Sequence, residues 1–400
     1  MHTTHRVQDL PPHLSNELEW RASALAQSGV DVIPLIFGNP DGPTPPAVVA
    51  AGIDALSDPS THGYSSNLGR PGFRHAVADY YERRFGVVID ADTMVVPAIG
   101  AKESIFNLNL ALLDPGDLVI APDPGYQTYT AGPLLVGAGV HSLPLHASEG
   151  QLPDLKSVPG DVAARASILY LNYPNSPTGA VATDEFFTDV VQFARVHELV
   201  VVHDAVYSEF TFDGLPPRSF LATAGALDVG VEIMSTSKSH NMAGWRCGAV
   251  VGNPDVVAAY RRLKTFVDSG MFAAVQVAAE TALSADLDDH VAATRATYER
   301  RRDLVVPLLA EVGIDADRPA GAVYVWAKVP AHWSSSSTYC QHVLEDCGVA
   351  LSPGAAYGPA GEGWFRMSLT VEERRLVEAV ERIADSSAST VGAGQGAHHG

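Results

Sequence analysis

Between residues 46 and 290 the chain repeats one pattern: a short, almost wholly apolar run, a polar or Gly/Pro-rich stop, then a helical stretch. The runs are "DLVIAPD", "ASILYLNY", "LVVVHDA", "VEIMSTS" and "CGAVVGN". They are apolar at consecutive positions, so each needs cover on both faces, as a strand in a mainly parallel sheet does. The intervening stretches supply that cover. In "DEFFTDVVQFARVHE", Phe186, Val190, Phe193 and Ala194 fall on one stripe of a helix. The fold class is therefore α/β, a sheet with helices on both faces. In such sheets ligands sit at the carboxyl ends of the strands.

Beyond this region the pattern changes. "DHVAATRATYERRRDLVVPLLAEVG" reads as a long helix, "GAVYVWAKV" as a half-exposed strand, and "TYCQHVLEDCG" as a helix. "EGWFRMSL" reads as a strand and "VEERRLVEAVERIA" as the last helix. "SNELEWRASALAQSG" predicts a further helix, N-capped by Ser15 and stopped by Gly29. These elements predict a smaller α+β domain, residues 15–45 and 296–385, beside a large domain over 46–295. Residues 1–14 read as a loose arm, and the low-complexity stretch 386–400 as a disordered tail.

Composition excludes some partners. A formal net charge of -20 opposes binding to nucleic acid or an anionic membrane, which need clustered Lys and Arg. No uncharged apolar run approaches the ~18 residues of a membrane span. "MHTTHRVQDLPPHL" lacks the apolar core of a signal peptide. Cys247, Cys340 and Cys347 have no metal-type spacing, so no metal site is expected, and their odd number fits a reducing cytoplasm.

The chemistry-bearing residues gather where apolar runs end. Asp204 closes "LVVVHDAVY" with Tyr207 three residues on, "LNYPNSPTG" ends in a tight turn, and Gly100-Ala101 opens a helix. Lys238 follows another run, with Arg246 eight residues later. Each has an ordinary reading: Asp204 as a turn residue, Tyr126 as a core aromatic, Arg366 as an edge charge, Lys102 and Lys238 as solvated. Together they meet the needs of pyridoxal 5'-phosphate. That cofactor takes an amine for its aldehyde, a carboxylate for its ring nitrogen and a phenol for its ring oxygen. Its phosphate takes N–H groups, hydroxyls and a cation.

The motifs "HGYSSNLG", "GAKES", "DPGYQTY", "NYPNSPTG", "HDAVYSE", "STSKSHNMAGWR" and "SPGAAYG" follow one another in order. On them the chain resembles the class I/II aminotransferases of fold type I, closest in wording to the LL-diaminopimelate and alanine-type branch. The likeness runs from "IPLIFGNPDGPTPP" to "FRMSLT". It implies an aspartate aminotransferase-like fold and these roles. Lys238 is the Schiff-base lysine and proton shuttle, Asp204 pairs with the pyridine nitrogen, and Tyr207 bonds the ring hydroxyl. Ser235, Ser237, Arg246 and the backbone of Ala101 and Lys102 hold the phosphate, and Tyr126 stacks on the ring. Asn175 and Ser176 lie at the ring oxygen. Arg366 forks the substrate α-carboxylate, helped by the Gly38 amide. Tyr64 reaches the phosphate of a neighbouring subunit, which implies a homodimer with shared sites.

Two positions depart from the resemblance. Ser176 stands where the family has Asn before Pro-Thr-Gly, so a single-donor hydroxyl replaces an amide. Asn67 is neutral where diaminopimelate enzymes carry an acid for the distal ammonium, which counts against that substrate; Arg70 has no assigned role. The resulting reading is an aminotransferase moving an amino group between an α-amino acid and a 2-oxo acid. The alternative is a pyridoxal-phosphate enzyme of elimination, replacement, cyclisation or oxidation. A binding module of the transcription-regulator kind would need an appended DNA-binding domain, for which the chain has no basic segment.

Overall fold

The computed structural model describes residues 3–395, with side chains through 385. Its centre is an eight-stranded sheet. The strands are β1 (Val95–Ala98), β2 (Leu118–Asp123), β3 (Gly139–His146), β4 (Leu152–Pro153), β5 (Ala166–Leu171), β6 (Val200–Asp204), β7 (Gly230–Ser235) and β8 (Gly248–Gly252). They lie in the order β1-β8-β7-β6-β5-β2-β3-β4. The run from β3 through β2, β5 and β6 to β7 is parallel. β8 is antiparallel to both β7 and β1, and β4 to β3. The apolar runs become the central strands because both of their faces are covered. β1 is interrupted by Pro97, and β3 exposes alternate residues near the sheet edge, so neither resembles a continuous apolar run.

The helices pack as amphipathic stripes. Asp184–His197 is capped by Thr183, whose hydroxyl accepts from the Phe186 N–H, and it buries Phe186, Val190 and Ala194. Burying one such large apolar side chain contributes about 1.5–3 kcal/mol. A second core belongs to the smaller layer: β9 (Tyr324–Lys328), β10 (Ser352–Pro353) and β11 (Trp364–Ser368) in the order β9-β11-β10. The long helix Asp288–Glu311 crosses the expected boundary at 295/296, so one rigid element serves both parts.

Two local expectations are corrected. The helix Leu14–Gln27, which follows a single helical turn at His5–Gln8, is capped by the His13 ring, which accepts from the Asn16 N–H; Ser15 is instead buried with its hydroxyl on Ser352. The terminal helix runs Glu373–Gln395, past the end at 384 expected for "VEERRLVEAVERIA". Its nucleation is already met upstream and no proline interrupts it, so each further residue adds a hydrogen bond. The remainder of the expected tail, 396–400, lies outside the described residues.

Candidate active site

The carboxyl ends of the parallel strands open on a cavity of ≈ 360 Å³. Asp204 ends β6 at its floor and is 5% exposed. Its Oδ2 accepts from the Tyr129 hydroxyl at 2.7 Å, and its main-chain carbonyl accepts from the Asn172 amide at 2.8 Å. Oδ1 is buried with no partner. Burial raises the carboxyl above its ordinary range, against the Tyr129 hydrogen bond and the nearby His203 and Lys238. A buried carboxylate oxygen left unpaired is costly. A protonated pyridine nitrogen is a donor and a cation that would satisfy it.

Across the cavity, Lys238 follows β7 on the short helix Thr236–Ser239. Its Nζ donates to the Gly38 carbonyl. Desolvation lowers its pKa, Arg366 and Arg246 push the same way, and Tyr324 and Asp204 oppose them. The amine is thereby moved toward the neutral form that attacks a carbonyl or takes a proton.

The phosphate end is a ring of donors. The helix Ala101–Leu112 begins at Gly100 with no side-chain cap, leaving its first N–H groups open to an anion. Gly100 has φ +80°, and a Cβ there would lie 2.2 Å from Arg246, so only glycine lets the guanidinium cross this terminus. Ser235 and Ser237 hydroxyls lie 2.9 Å apart beside it. The cavity, its orphaned carboxylate and this cradle suit pyridoxal 5'-phosphate.

Arg366, on β11, comes from the smaller layer and is 5% exposed. Its guanidinium lies between the rings of Tyr324 (3.9 Å) and Tyr357 (4.8 Å). Nη1 donates to the Ser176 hydroxyl at 3.0 Å, Nη2 to the Ile36 carbonyl at 2.6 Å, and Nε is unpartnered. One hydrogen on each terminal nitrogen remains for a carboxylate fork. Burial works against the charge, but the phenols of Tyr357, Tyr324 and Tyr207 outweigh it and raise the group.

Most of the expected residues line this one cavity: Gly38, Ala101, Lys102, Tyr126, Ser176, Asp204, Tyr207, Ser235, Ser237, Lys238, Arg246 and Arg366. Asn175 does not. Its amide donates to the Asn172 carbonyl and its oxygen accepts from Thr178, so it holds the turn, and Asn172 faces the cavity in its place. Tyr64 is 94% exposed and outside the cavity. The Asn67 amide donates to the Lys264 and Asp268 carbonyls, also outside it, and Arg70 pairs with Glu280 at 3.3 Å. Sequence reasoning missed Tyr129, Asn172, Tyr324 and Tyr357. Tyr129, Asn172 and Tyr357 stand inside the quoted motifs, at "DPGYQTY", "NYPNSPTG" and "SPGAAYG", and that placement was the available signal.

A family model described as "Aminotransferase class I and II" matches residues 30–383. An LL-diaminopimelate aminotransferase of Desulforudis audaxviator is 48% identical over 94% of this chain and 96% of its own length. The enzyme so named from Moorella thermoacetica is 44% identical over 96% and 98%. Among solved structures, substrate-bound BacF from Bacillus subtilis superposes with TM-score 0.94 at 35% identity, covering 96% of this chain and 98% of that one. An aspartate aminotransferase of Thermus thermophilus superposes with TM-score 0.90 at 29% identity, covering 96% and 99%.

Proposed function

Because this chain belongs to the class I and II aminotransferases, we propose that the cavity over Asp204 is its active site and Lys238 its central group. The enzyme is a pyridoxal 5'-phosphate-dependent aminotransferase that moves an amino group between an α-amino acid and a 2-oxo acid. The observation carrying the residue assignment is the Asp204 carboxylate, held by Tyr129 on one oxygen and left open on the other. When bound, the cofactor supplies an aldehyde that exchanges amino groups and a ring that accepts the electron pair from the substrate Cα.

The protein supplies the rest. Asp204 holds a proton at the ring nitrogen, and Tyr207 donates to the ring oxygen. Ser235, Ser237, Arg246 and the N–H groups of Ala101 and Lys102 anchor the phosphate, and Tyr126 covers one face. Arg366 and the Gly38 N–H orient the substrate by its carboxylate, so the Cα–H bond faces Lys238. Lys238 Nζ removes that proton and delivers it to the cofactor carbon.

On substrate class, the cavity lining supports a dicarboxylic partner. Among the described residues Asp204 is the lining's only acid, while Lys102 stands with the anchor cations. The Lys102 Nζ lies 5.9 Å from the Tyr126 ring, where a distal carboxylate would meet it. LL-diaminopimelate, the substrate in the relatives' names, is also a dicarboxylate; its distal carbon carries an ammonium as well, for which one protomer's lining holds no second acid among the described residues. A homodimer is supported by exposed apolar side chains: Tyr64 at 94%, Phe266 at 86%, Ile53 at 57% and Leu56 at 54%. No helix among the described residues is long and apolar enough to cross a membrane. The three cysteines are buried, which supports a cytoplasmic location.

The test is direct. Borohydride should fix the cofactor on the Lys238 peptide, glutamate should remove the visible band, and 2-oxoglutarate should restore it. Labelling of another lysine would sink the assignment. Ready conversion by a monocarboxylic amino acid such as alanine, with none by glutamate or LL-diaminopimelate, would overturn the substrate class.

A further inference from the structure

The geometry points to Tyr324 as a positioning residue that sets the direction in which Tyr207 points its hydroxyl hydrogen. This rests on the reading of Tyr207 and Lys238 given above. The two phenol oxygens lie 2.8 Å apart, both buried, so one of them donates and the other accepts. Two features make Tyr324 the donor. The Gly38 backbone stands against its oxygen so closely that a Cβ would lie 2.2 Å away, which restricts where an acceptor lone pair can receive a hydrogen. The Arg366 guanidinium lies on its ring face at 3.9 Å and stabilises negative charge on that phenol.

The titration tendencies agree with this direction. Burial works to raise Tyr324, but Arg366 and Lys238, then the Tyr207 and Gly38 hydrogen bonds, bring it below the ordinary phenol range. Tyr207 is pushed well above it, by burial first and then by Tyr324. The more acidic phenol gives its hydrogen to the less acidic one. Tyr207 then keeps its own hydrogen for a third group, and the cofactor's ring oxygen is the acceptor its role requires. Reversed, Tyr207 would spend its hydrogen on Tyr324 and offer the ring oxygen only lone pairs.

The backbone at Gly38 locks the arrangement. A Cβ there would lie 2.2 Å from the Tyr324 oxygen, so a side chain at 38 would displace the hydroxyl. The Gly38 carbonyl accepts from Lys238, so one peptide segment spaces the lysine from the phenol pair. Besides Lys238 and Arg366, the titratable groups facing the pair are Asp204, Tyr129, Tyr298 and Tyr357.

The readout is the proton affinity of Lys238 Nζ in the holoenzyme, seen as the pH midpoint of the visible band. A hydrogen bond donated to the ring oxygen draws off charge that would otherwise hold a proton on the neighbouring nitrogen. Losing donor strength at Tyr207 therefore raises the midpoint. Tyr324→Phe keeps the ring under Arg366 and removes only the hydroxyl. It should raise the midpoint by roughly 0.3–1 pH unit, a two- to ten-fold gain in proton affinity, and by less than Tyr207→Phe does. In a Tyr207→Phe background the same change should shift nothing further. Fluorotyrosine at 324, a stronger donor of equal shape, should lower the midpoint. An unchanged midpoint in Tyr324→Phe, or an equal shift in the Tyr207→Phe background, overturns the proposal while leaving the site assignment intact. A visible band that survives Lys238→Ala overturns the assignment itself.

Discussion

Arg366→Lys tests the carboxylate site while keeping its charge. In the native site the guanidinium spends one hydrogen on Ser176 at 3.0 Å and one on the Ile36 carbonyl at 2.6 Å, keeping a parallel pair for the substrate. A lysine ammonium has three hydrogens and no plane. It cannot bond Ser176, Ile36 and both carboxylate oxygens at once. Losing one charge-assisted hydrogen bond costs about 1.5–3 kcal/mol. Losing the stacking on Tyr324 and Tyr357 adds about 0.5–2 kcal/mol. The sum of about 2–5 kcal/mol lowers kcat/KM by roughly 30- to 5,000-fold. The contact exists in the ground state as well as the transition state, so KM should carry more of the loss than kcat. The assay is the first half-reaction, followed by loss of the visible band, with an amino acid and with the amine lacking its carboxylate. The amine never uses the fork and should be slowed little by the substitution. A loss below about five-fold for the amino acid, or an equal loss for the amine, would refute the assignment.

Asp204→Asn should retain the cofactor but lower kcat by about 100- to 1,000-fold, because a buried ion pair at the ring nitrogen is gone; turnover near wild type would contradict this. Tyr129→Phe removes the hydrogen bond that holds the Asp204 carboxyl down against burial. Its pKa then rises further, so the acid limb of kcat/KM should move to higher pH, by about one unit; an unmoved limb excludes that role. Tyr64→Phe should weaken cofactor retention by one hydrogen bond, about 0.5–1.5 kcal/mol. Sedimentation should find dimers, and a fully active monomer would remove the reason for the effect. Ser176→Asn should preserve the full amino-transfer cycle with KM within about five-fold, whereas ammonia or peroxide release by the native enzyme would show diverted chemistry.

The fold was legible because apolar runs that tolerate no exposed face have few alternatives to a central parallel strand. Lys238, Asp204 and Arg246 each have an ordinary reading alone, and only their order within the quoted motifs pointed to one site. Tyr324 and Tyr129 were not legible. An aromatic in an apolar strand or helix is spelled the same way whether it fills the core or aims a hydroxyl at Asp204 or Tyr207. The two amides of "NYPNSPTG" were ambiguous because both lie in one turn, and only its direction decides that Asn172 faces the cavity while Asn175 braces the backbone. The His13 cap was hidden because Ser15, two residues on, is the better capping residue by type.

Ser176 departs from the resemblance, and the surrounding hydrogen bonds show what the serine does here. By the resemblance, an amide at 176 would bond the ring oxygen and the substrate carboxylate. The Asn172 oxygen accepts the Ser176 N–H at 2.8 Å, which fixes the turn, and its amide braces the end of β6 through the Asp204 carbonyl. The serine hydroxyl is left with one task toward Arg366, accepting at 3.0 Å, and its hydrogen stays available to a ligand. Meanwhile the phenol pair Tyr207–Tyr324 lines the same cavity, its oxygens 2.8 Å apart. The donor lost at 176 therefore removes no unique contact from proton transfer, which runs between Lys238 and the substrate Cα. On the proposed assignment, amino transfer would rest on the lysine, the open carboxylate oxygen of Asp204 and the fork of Arg366, whose free pair of hydrogens the serine leaves in place.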